Sequence, residues 1–454
     1  MNTNPRRVTL YCNKPHRIDM KSELLPSLAF TEYKLKLTSL IIATRHGDRG
    51  PLRPIRNLDS LQCDAFSYLE TYMKKVQVKT TKNSFQIYSQ LFHRYLQASK
   101  LRMDKIINFP PNFRMLPKVG CHIDELTQVG ALQHLVLGKK LADVYREHLF
   151  TDLVSSEHIK AYSTHYSRTF QSALAFLFGF LNPFTSYDYK NFPEIEAAVG
   201  TLFCSTQTYC APCDKILELA KYIDDFRSDA IQSHKPTNDL MIKLRKFVAA
   251  PNDTLLFTSL ESLLDAYMSY VCHDSNVPCS LDTNQCASIE DLHHLIASLD
   301  HMYDQLASMQ YFQHLNLLKM SGFFQQIISH FNNLTQKVNV HKFILYSGHD
   351  ITLIPMLSVL NLFDGKIPSY ASRLIFETYD SQATNESYLR IIYDGTDVTR
   401  SSDVCVSSNA CVELVSEKLK QHFALIPLHV FKDFFDTKFK EFTNSDNYET
   451  ACHS

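Results

Sequence analysis

No run of eighteen uninterrupted apolar residues occurs in these 454 residues, so no segment reads as a membrane-spanning helix. Charge of one sign is not in excess either: 46 Lys and Arg stand against 47 Asp and Glu, a formal net charge of −1. So close a balance gives no overall pull toward nucleic acid or a membrane surface, and attraction for an anion must come from a local cluster. The chain has no tryptophan, no internal repeat, no low-complexity tract and no dense set of Asp and His to hold a divalent metal, so repeat architectures and metal-dependent chemistry are disfavoured. Met1 to Lys21 carries Arg6, Arg7, Lys14, His16 and Arg17 without an apolar stretch, so neither a signal peptide nor a membrane anchor reads there. What remains is the composition of a soluble globular enzyme, 45% hydrophobic and 20% charged, long enough for a large core plus a cap.

The local cluster is Ala43-Thr44-Arg45-His46-Gly47-Asp48-Arg49-Gly50-Pro51, directly after the apolar run Leu40-Ile41-Ile42. An imidazole between two guanidiniums is suited to attack phosphorus. Each Arg binds phosphate oxygens in a fork, and their positive field keeps His46 neutral and nucleophilic. A basic turn with a buried histidine is the plain alternative. Yet five fixed residues in seven positions, at about 5% usage each, recur by chance in only about one chain of this length in ten thousand.

On these residues the sequence resembles the histidine acid phosphatase family, whose first signature is Arg-His-Gly-x-Arg-x-Pro. The resemblance implies that His46 becomes phosphorylated while Arg45 and Arg49 hold the phosphate. Phe343-Ile344-Leu345-Tyr346-Ser347-Gly348-His349-Asp350 is similar to the family's second signature, a strand ending in His-Asp. A departing alkoxide needs a proton, so Asp350 is the candidate acid and His349 a phosphate donor. In Ser167-Arg168-Thr169-Phe170-Gln171-Ser172-Ala173, Arg168 resembles the family's third phosphate-binding arginine, in the first turn of a helix that Ser167 or Thr164 could cap. No cofactor and no metal are implied.

All three pieces read as strand, turn, helix, which presents a site at the carboxyl ends of parallel strands. The expected fold is therefore α/β: a mixed, mainly parallel sheet sandwiched by helices, with an inserted, mostly helical cap. Residues 33–200 and 336–430 are expected to form the core, 201–335 the cap, 1–32 an N-terminal extension and 431–454 a C-terminal segment. Arg373–Tyr379 and Tyr388–Tyr393 read as a hairpin on the sheet edge. Helices read around Ile216–Ile223 and from Leu255 to Val271, and residues 54–117 read as a second insertion with helical pieces such as Ala65–Lys74.

Twelve cysteines, an even number, and acceptor triplets at Asn252, Asn333 and Asn385 fit an oxidising, glycosylating compartment. Connectivity does not follow from spacing. Cys210-Ala-Pro-Cys213 has redox-motif spacing without a thioredoxin-like surround, and Cys272, Cys279, Cys286 and His293 recur every seven residues without knuckle pairs; a structural bridge is the preferred reading over either redox or zinc. A missing leader reconciles these cysteines with the N-terminus, and a reduced cytosolic form is the alternative.

Segments outside the signatures, 121–135, 167–181, 371–377, 394–399 and the tail Ala451-Cys452-His453, resemble the branch of the family that removes the 2-phosphate from xylose in the glycosaminoglycan linkage region of proteoglycans, in the Golgi. The resemblance implies that phosphorylated linkage glycan as partner. Gly50 stands where many relatives have a larger residue, and the branch's N-terminal anchor is not in this chain. A general acid phosphatase acting on small phosphomonoesters, inositol phosphates or lysophospholipids, and a glycan-binding pseudo-phosphatase, are the alternatives. Retention of both His46 and Asp350 argues against the last.

Overall fold

A computed structural model of the chain describes residues 6–75, 79–100, 113–150, 156–181, 192–198, 213–249, 257–280, 283, 285–338, 341–416 and 421–453. Among these, nine strands form one sheet. They are β1 (Leu35–Arg45), β2 (Ile159–Ser163), β3 (Ile195–Ala197), β4 (Phe343–Gly348), β5 (Arg373–Ser381), β6 (Ser387–Tyr393), β7 (Thr396–Asp397), β8 (Val412–Ser416) and β9 (Gln421–Pro427). Their order is β3-β2-β4-β1-β5-β6-β9-β8, with β7 on β6.

The first four strands of that order run parallel, and every pairing from β1–β5 onward is antiparallel. The sheet is mixed and helix-covered, as expected, but its antiparallel part is the larger, which corrects the reading of a mainly parallel sheet. The hairpin β5–β6 also lies inside the sheet, with β9 and β8 beyond it. Neither outer strand has the clean apolar alternation that announces a strand, and both escape a reading by pattern.

Alternation along β1 explains the layers. Leu40 and Ile42 face a core shared with helices Gln128–Leu149 and Ser167–Leu181, while Ile41 and Ala43 face the opposite core, with helices Gln310–Thr335, Asp350–Val359 and Leu428–Thr443. A strand covered on both faces reads as a continuous apolar run, as Leu40-Ile41-Ile42 does. Aromatic stacking marks both sides: Phe180 lies 4.4 Å from Phe343 between ring centroids, and Phe323 lies 5.0 Å from Tyr346.

Helices Asp214–Ser233, Lys235–Val248, Leu260–Cys272 and Ile289–Ala307 lie within the segment read as the cap. Two start on reciprocal serine caps, Ser259 with Ser262 and Ser288 with Asp291, each satisfying backbone donors that helix ends leave free. The helix Gln310–Thr335 from the same segment packs on the sheet through Phe323. Within 54–117, helices Ala65–Lys75 and Lys79–Lys100 form.

Among the described residues five disulfides tie these parts: Cys12–Cys272, Cys63–Cys121, Cys213–Cys452, Cys279–Cys286 and Cys405–Cys411. Cys213 is thereby a structural bridge partner, and the three cysteines of the seven-residue series are divided between two bridges, so neither the redox nor the zinc reading survives. Cys204, Cys210 and Asn252 lie outside the described residues. Cys12–Cys272 spans 260 residues, and closing a loop that long removes up to about 5 kcal/mol of chain entropy from the unfolded state. Asn333 and Asn385 are exposed, Asn385 in the β5–β6 connection. No helix among the described residues is long and apolar enough to cross a membrane.

Protein made in secretory cells with a supplied leader is expected to give these five bridges on non-reducing peptide mapping, with glycan at Asn385. Reduced, unglycosylated and fully active protein would count for the cytosolic alternative.

Candidate active site

Strand register brings the three motifs together. Arg45 at the end of β1 pairs with Gly348 of β4, and Ser163 at the end of β2 pairs with Ser347. Backbone bonds continue past the strand ends, from His46 N–H to the Gly348 carbonyl (2.8 Å) and from Thr164 N–H to the Ser347 carbonyl (3.1 Å). His46, His349 and Thr164 therefore emerge side by side at one edge. The ring centroids of His46 and His349 are 5.4 Å apart. The same edge receives the chain entering β5, where Ala371 N–H donates to the His46 carbonyl and places Tyr370 beside the ring.

Close backbone approach explains two glycines of the motif. A Cβ on Gly47 would sit 2.3 Å from the Gly130 carbonyl oxygen, and one on Gly50 would sit 1.9 Å from that of His122. The loop lies flat against the start of the helix Gln128–Leu149, and Gly50 follows from the neighbouring backbone.

His46 is buried, and its Nδ1–H donates to the Gly47 carbonyl at 2.8 Å. That bond assigns the tautomer and leaves the Nε2 lone pair free. Burial pushes the His46 pKa well below its ordinary value, and Arg168, Arg45, His349 and Arg49 push it further the same way. His349 is lowered by burial and by the same three arginines. Its Nδ1 accepts from Arg168 at 3.5 Å, so Nε2–H donates to the Thr164 hydroxyl at 2.9 Å. Thr164, read as a helix cap, here orients a site histidine.

All three arginines are buried and each is held by one carboxylate. Arg45 reaches Asp350 (2.9 Å), Arg49 reaches Asp265 (2.5 Å) and Arg168 reaches Asp124 (2.8 Å). Arg45 also donates to the Tyr11 hydroxyl (2.9 Å) and the Pro368 carbonyl (2.6 Å), and lies over the Tyr370 ring. The Nε–H of Arg45, of Arg49 and of Arg168 is buried with no partner. Buried donors left unpaired cost about 1–3 kcal/mol each, which an anion bound among them would recover. Asp350 opens the helix Asp350–Val359, with its side chain 26% exposed and so open to a bound molecule.

The structure thus gathers Arg45, His46, Arg49, Arg168, His349 and Asp350 in one place. Sequence reading did not identify Tyr11, Asp124, Asp265 or Tyr370. Asp124 stood in a stretch already singled out, but neither it nor the others carries a local motif.

The sequence pattern of the histidine phosphatase superfamily (branch 2) matches residues 36–394. A 2-phosphoxylose phosphatase 1 of Xenopus tropicalis is 28% identical over 98% of this chain and 82% of its own length, and that of Mus musculus is 29% identical over 87% and 77%. Bovine (Bos taurus) prostatic acid phosphatase is 25% identical over 59% of this chain and 68% of its own. Among solved structures, a Klebsiella phytase superposes with a TM-score of 0.52 at 14% identity, covering 90% of this chain and 97% of that one, which speaks for the fold. With signatures, fold and pattern in agreement over most of its length, this chain belongs to the histidine phosphatase superfamily (branch 2) and is a phosphatase.

Proposed function

We propose that the chain hydrolyses a phosphomonoester through a phosphohistidine on His46 Nε2, and that its substrate is the 2-phosphate of xylose in the linkage region of proteoglycans. The observation that carries the mechanism is the free Nε2 of His46 amid three buried guanidiniums with unpaired Nε–H donors. The substrate rests on relatives named 2-phosphoxylose phosphatase 1 that match nearly the whole chain.

Arg45, Arg49 and Arg168 hold the phosphoryl oxygens and offset the charge that builds on them in transfer. The dianion reverses the field at His349 and favours its imidazolium, whose Nδ1–H then donates to a phosphate oxygen. His46 Nε2 attacks phosphorus as the P–O bond to the sugar breaks, and Asp350, which takes up a proton from solvent once the phosphate replaces it on Arg45, gives that proton to the departing oxygen. The Gly47 carbonyl stabilises the positive ring through Nδ1–H. Water then attacks the phosphohistidine with Asp350 accepting its proton, releasing phosphate and neutral His46. In this reading the work is done in the Golgi lumen, to which the five disulfides are suited.

A panel of phosphoesters tests the substrate: a xylose 2-phosphate linkage glycan, p-nitrophenyl phosphate, an inositol phosphate and a lysophosphatidic acid. The glycan is expected to show the highest kcat/KM. Equal or better turnover of the small esters would favour the general acid phosphatase reading, to which the prostatic relative lends support.

A further inference from the structure

One helix of the inserted segment touches the phosphate loop at several points. From Leu260–Cys272, Asp265 holds Arg49 and accepts from Leu52 N–H, and Cys272 is bonded to Cys12, next to the Tyr11 that holds Arg45. The residue that ends the helix, His273, reaches Asp48, which lies between Gly47 and Arg49 in the loop.

The surroundings of His273 define its protonation. Its Nε2 is 3.0 Å from Asp48 Oδ2 and its Nδ1 is 3.0 Å from the Gln62 carbonyl oxygen. A carboxylate and a carbonyl only accept, so both ring nitrogens must donate, and a neutral ring would set a lone pair against one of them. Asp48 is buried as well. Its Oδ2 also accepts from the Thr127 hydroxyl (2.5 Å), its backbone N–H donates to Gln133, and its Oδ1 has no partner. Without a cation beside it, that carboxylate would be a buried and uncompensated charge.

We propose that His273, as an imidazolium held between Asp48 and the Gln62 carbonyl, is a positioning residue that keeps the phosphate loop in its working geometry, and that losing this proton loosens the loop and lowers turnover. The inference rests on the reading of His46 and Arg49 as parts of the reaction centre. Other groups around the ring are consistent with it. Cys63 Sγ, within the Cys63–Cys121 bridge, lies 3.3 Å away and carries no charge, while Lys14, which opposes the proton, is itself paired with Asp274 at 2.7 Å. Burial works against the imidazolium, but Asp48 outweighs it and holds the His273 pKa above its ordinary value. A raised native pKa contributes stability that is complete below the unfolded value near 6.5 and is lost as pH rises through the native one. The loop is therefore clamped in acid and released in alkali.

The test follows kcat and KM for p-nitrophenyl phosphate from acid to alkaline pH in the full chain, wild type and variants. Wild type should lose kcat through an alkaline limb, and its melting temperature should fall over the same interval. His273→Gln should lower kcat about tenfold at acid pH with a smaller change in KM, and should abolish the limb. Asp48→Asn should move the limb to lower pH, because the charge that favours the proton is gone. A folded His273→Gln with the wild-type limb would overturn the proposal. If neither variant folds, a wild-type melting temperature that stays constant across the kcat limb would overturn it equally. His46→Ala separates the two readings: turnover in that variant defeats the reaction centre, whereas its melting-temperature limb reports the clamp alone.

Discussion

His46→Ala is expected to lower kcat on p-nitrophenyl phosphate by at least about 10⁴-fold, in line with losses seen when a nucleophile is removed. The substitution deletes the atom proposed to accept the phosphoryl group and leaves Arg45, Arg49 and Arg168 in place. Binding of inorganic phosphate should therefore persist, and with it the fold. Rapid quenching of wild type into alkali with labelled substrate should trap an acid-labile phosphohistidine that the variant lacks. The pH dependence follows from the depressed pKa of His46. Below pH 6.5 the unfolded chain takes up a proton that the native ring refuses, so stability is lost as pH falls from there, and the variant should lose less of it between pH 7 and 5. Within the native site the same shift keeps the His46 ring neutral in acid, so turnover through the proposed route should extend well below pH 6.5. Activity in His46→Ala within tenfold of wild type would exclude the covalent route.

Asp350→Asn should separate substrates by leaving group. A sugar alkoxide cannot depart unprotonated at a useful rate, whereas nitrophenolate nearly can. General acid catalysis contributes about 10²–10⁴-fold, so xylose 2-phosphate should lose about 10³ in kcat and p-nitrophenyl phosphate on the order of tenfold. The contact with Arg45 adds a second signature. Asparagine still accepts from that guanidinium at its 2.9 Å distance but no longer balances its charge, so KM should fall for both substrates as the site becomes more positive. Equal losses of kcat for the two substrates, with unchanged pH dependence, would make Asp350 a positioning group and move the proton donor elsewhere.

The six residues named from sequence motifs sit together in the structure because each motif is a local pattern, an apolar run followed by a turn. In an α/β sheet such turns gather at one edge. The same logic located β5 and β6 almost to the residue, and it misjudged their place in the sheet because β8 and β9 carry weak patterns. Asp265 gave no signal, since an aspartate in the middle of a helix is ordinarily a solvated residue. His273 was equally silent, because what defines it is a pair of acceptors from distant segments.

By itself, the sequence determined the candidate reacting groups of this protein: a histidine between two arginines, a His-Asp at a strand end, and a third arginine at the start of a helix. Such patterns are short, so the physics that makes them strand, turn or helix acts within a few residues of each. Only the tertiary structure decided which carboxylate holds which arginine, that Cys12 joins Cys272 across 260 residues, that Tyr11 from the N-terminal segment supports Arg45, and that both nitrogens of His273 face acceptors. Those pairings depend on the path of the whole chain through the fold, because charge, burial and hydrogen bonding act through space between segments that sequence spacing does not relate.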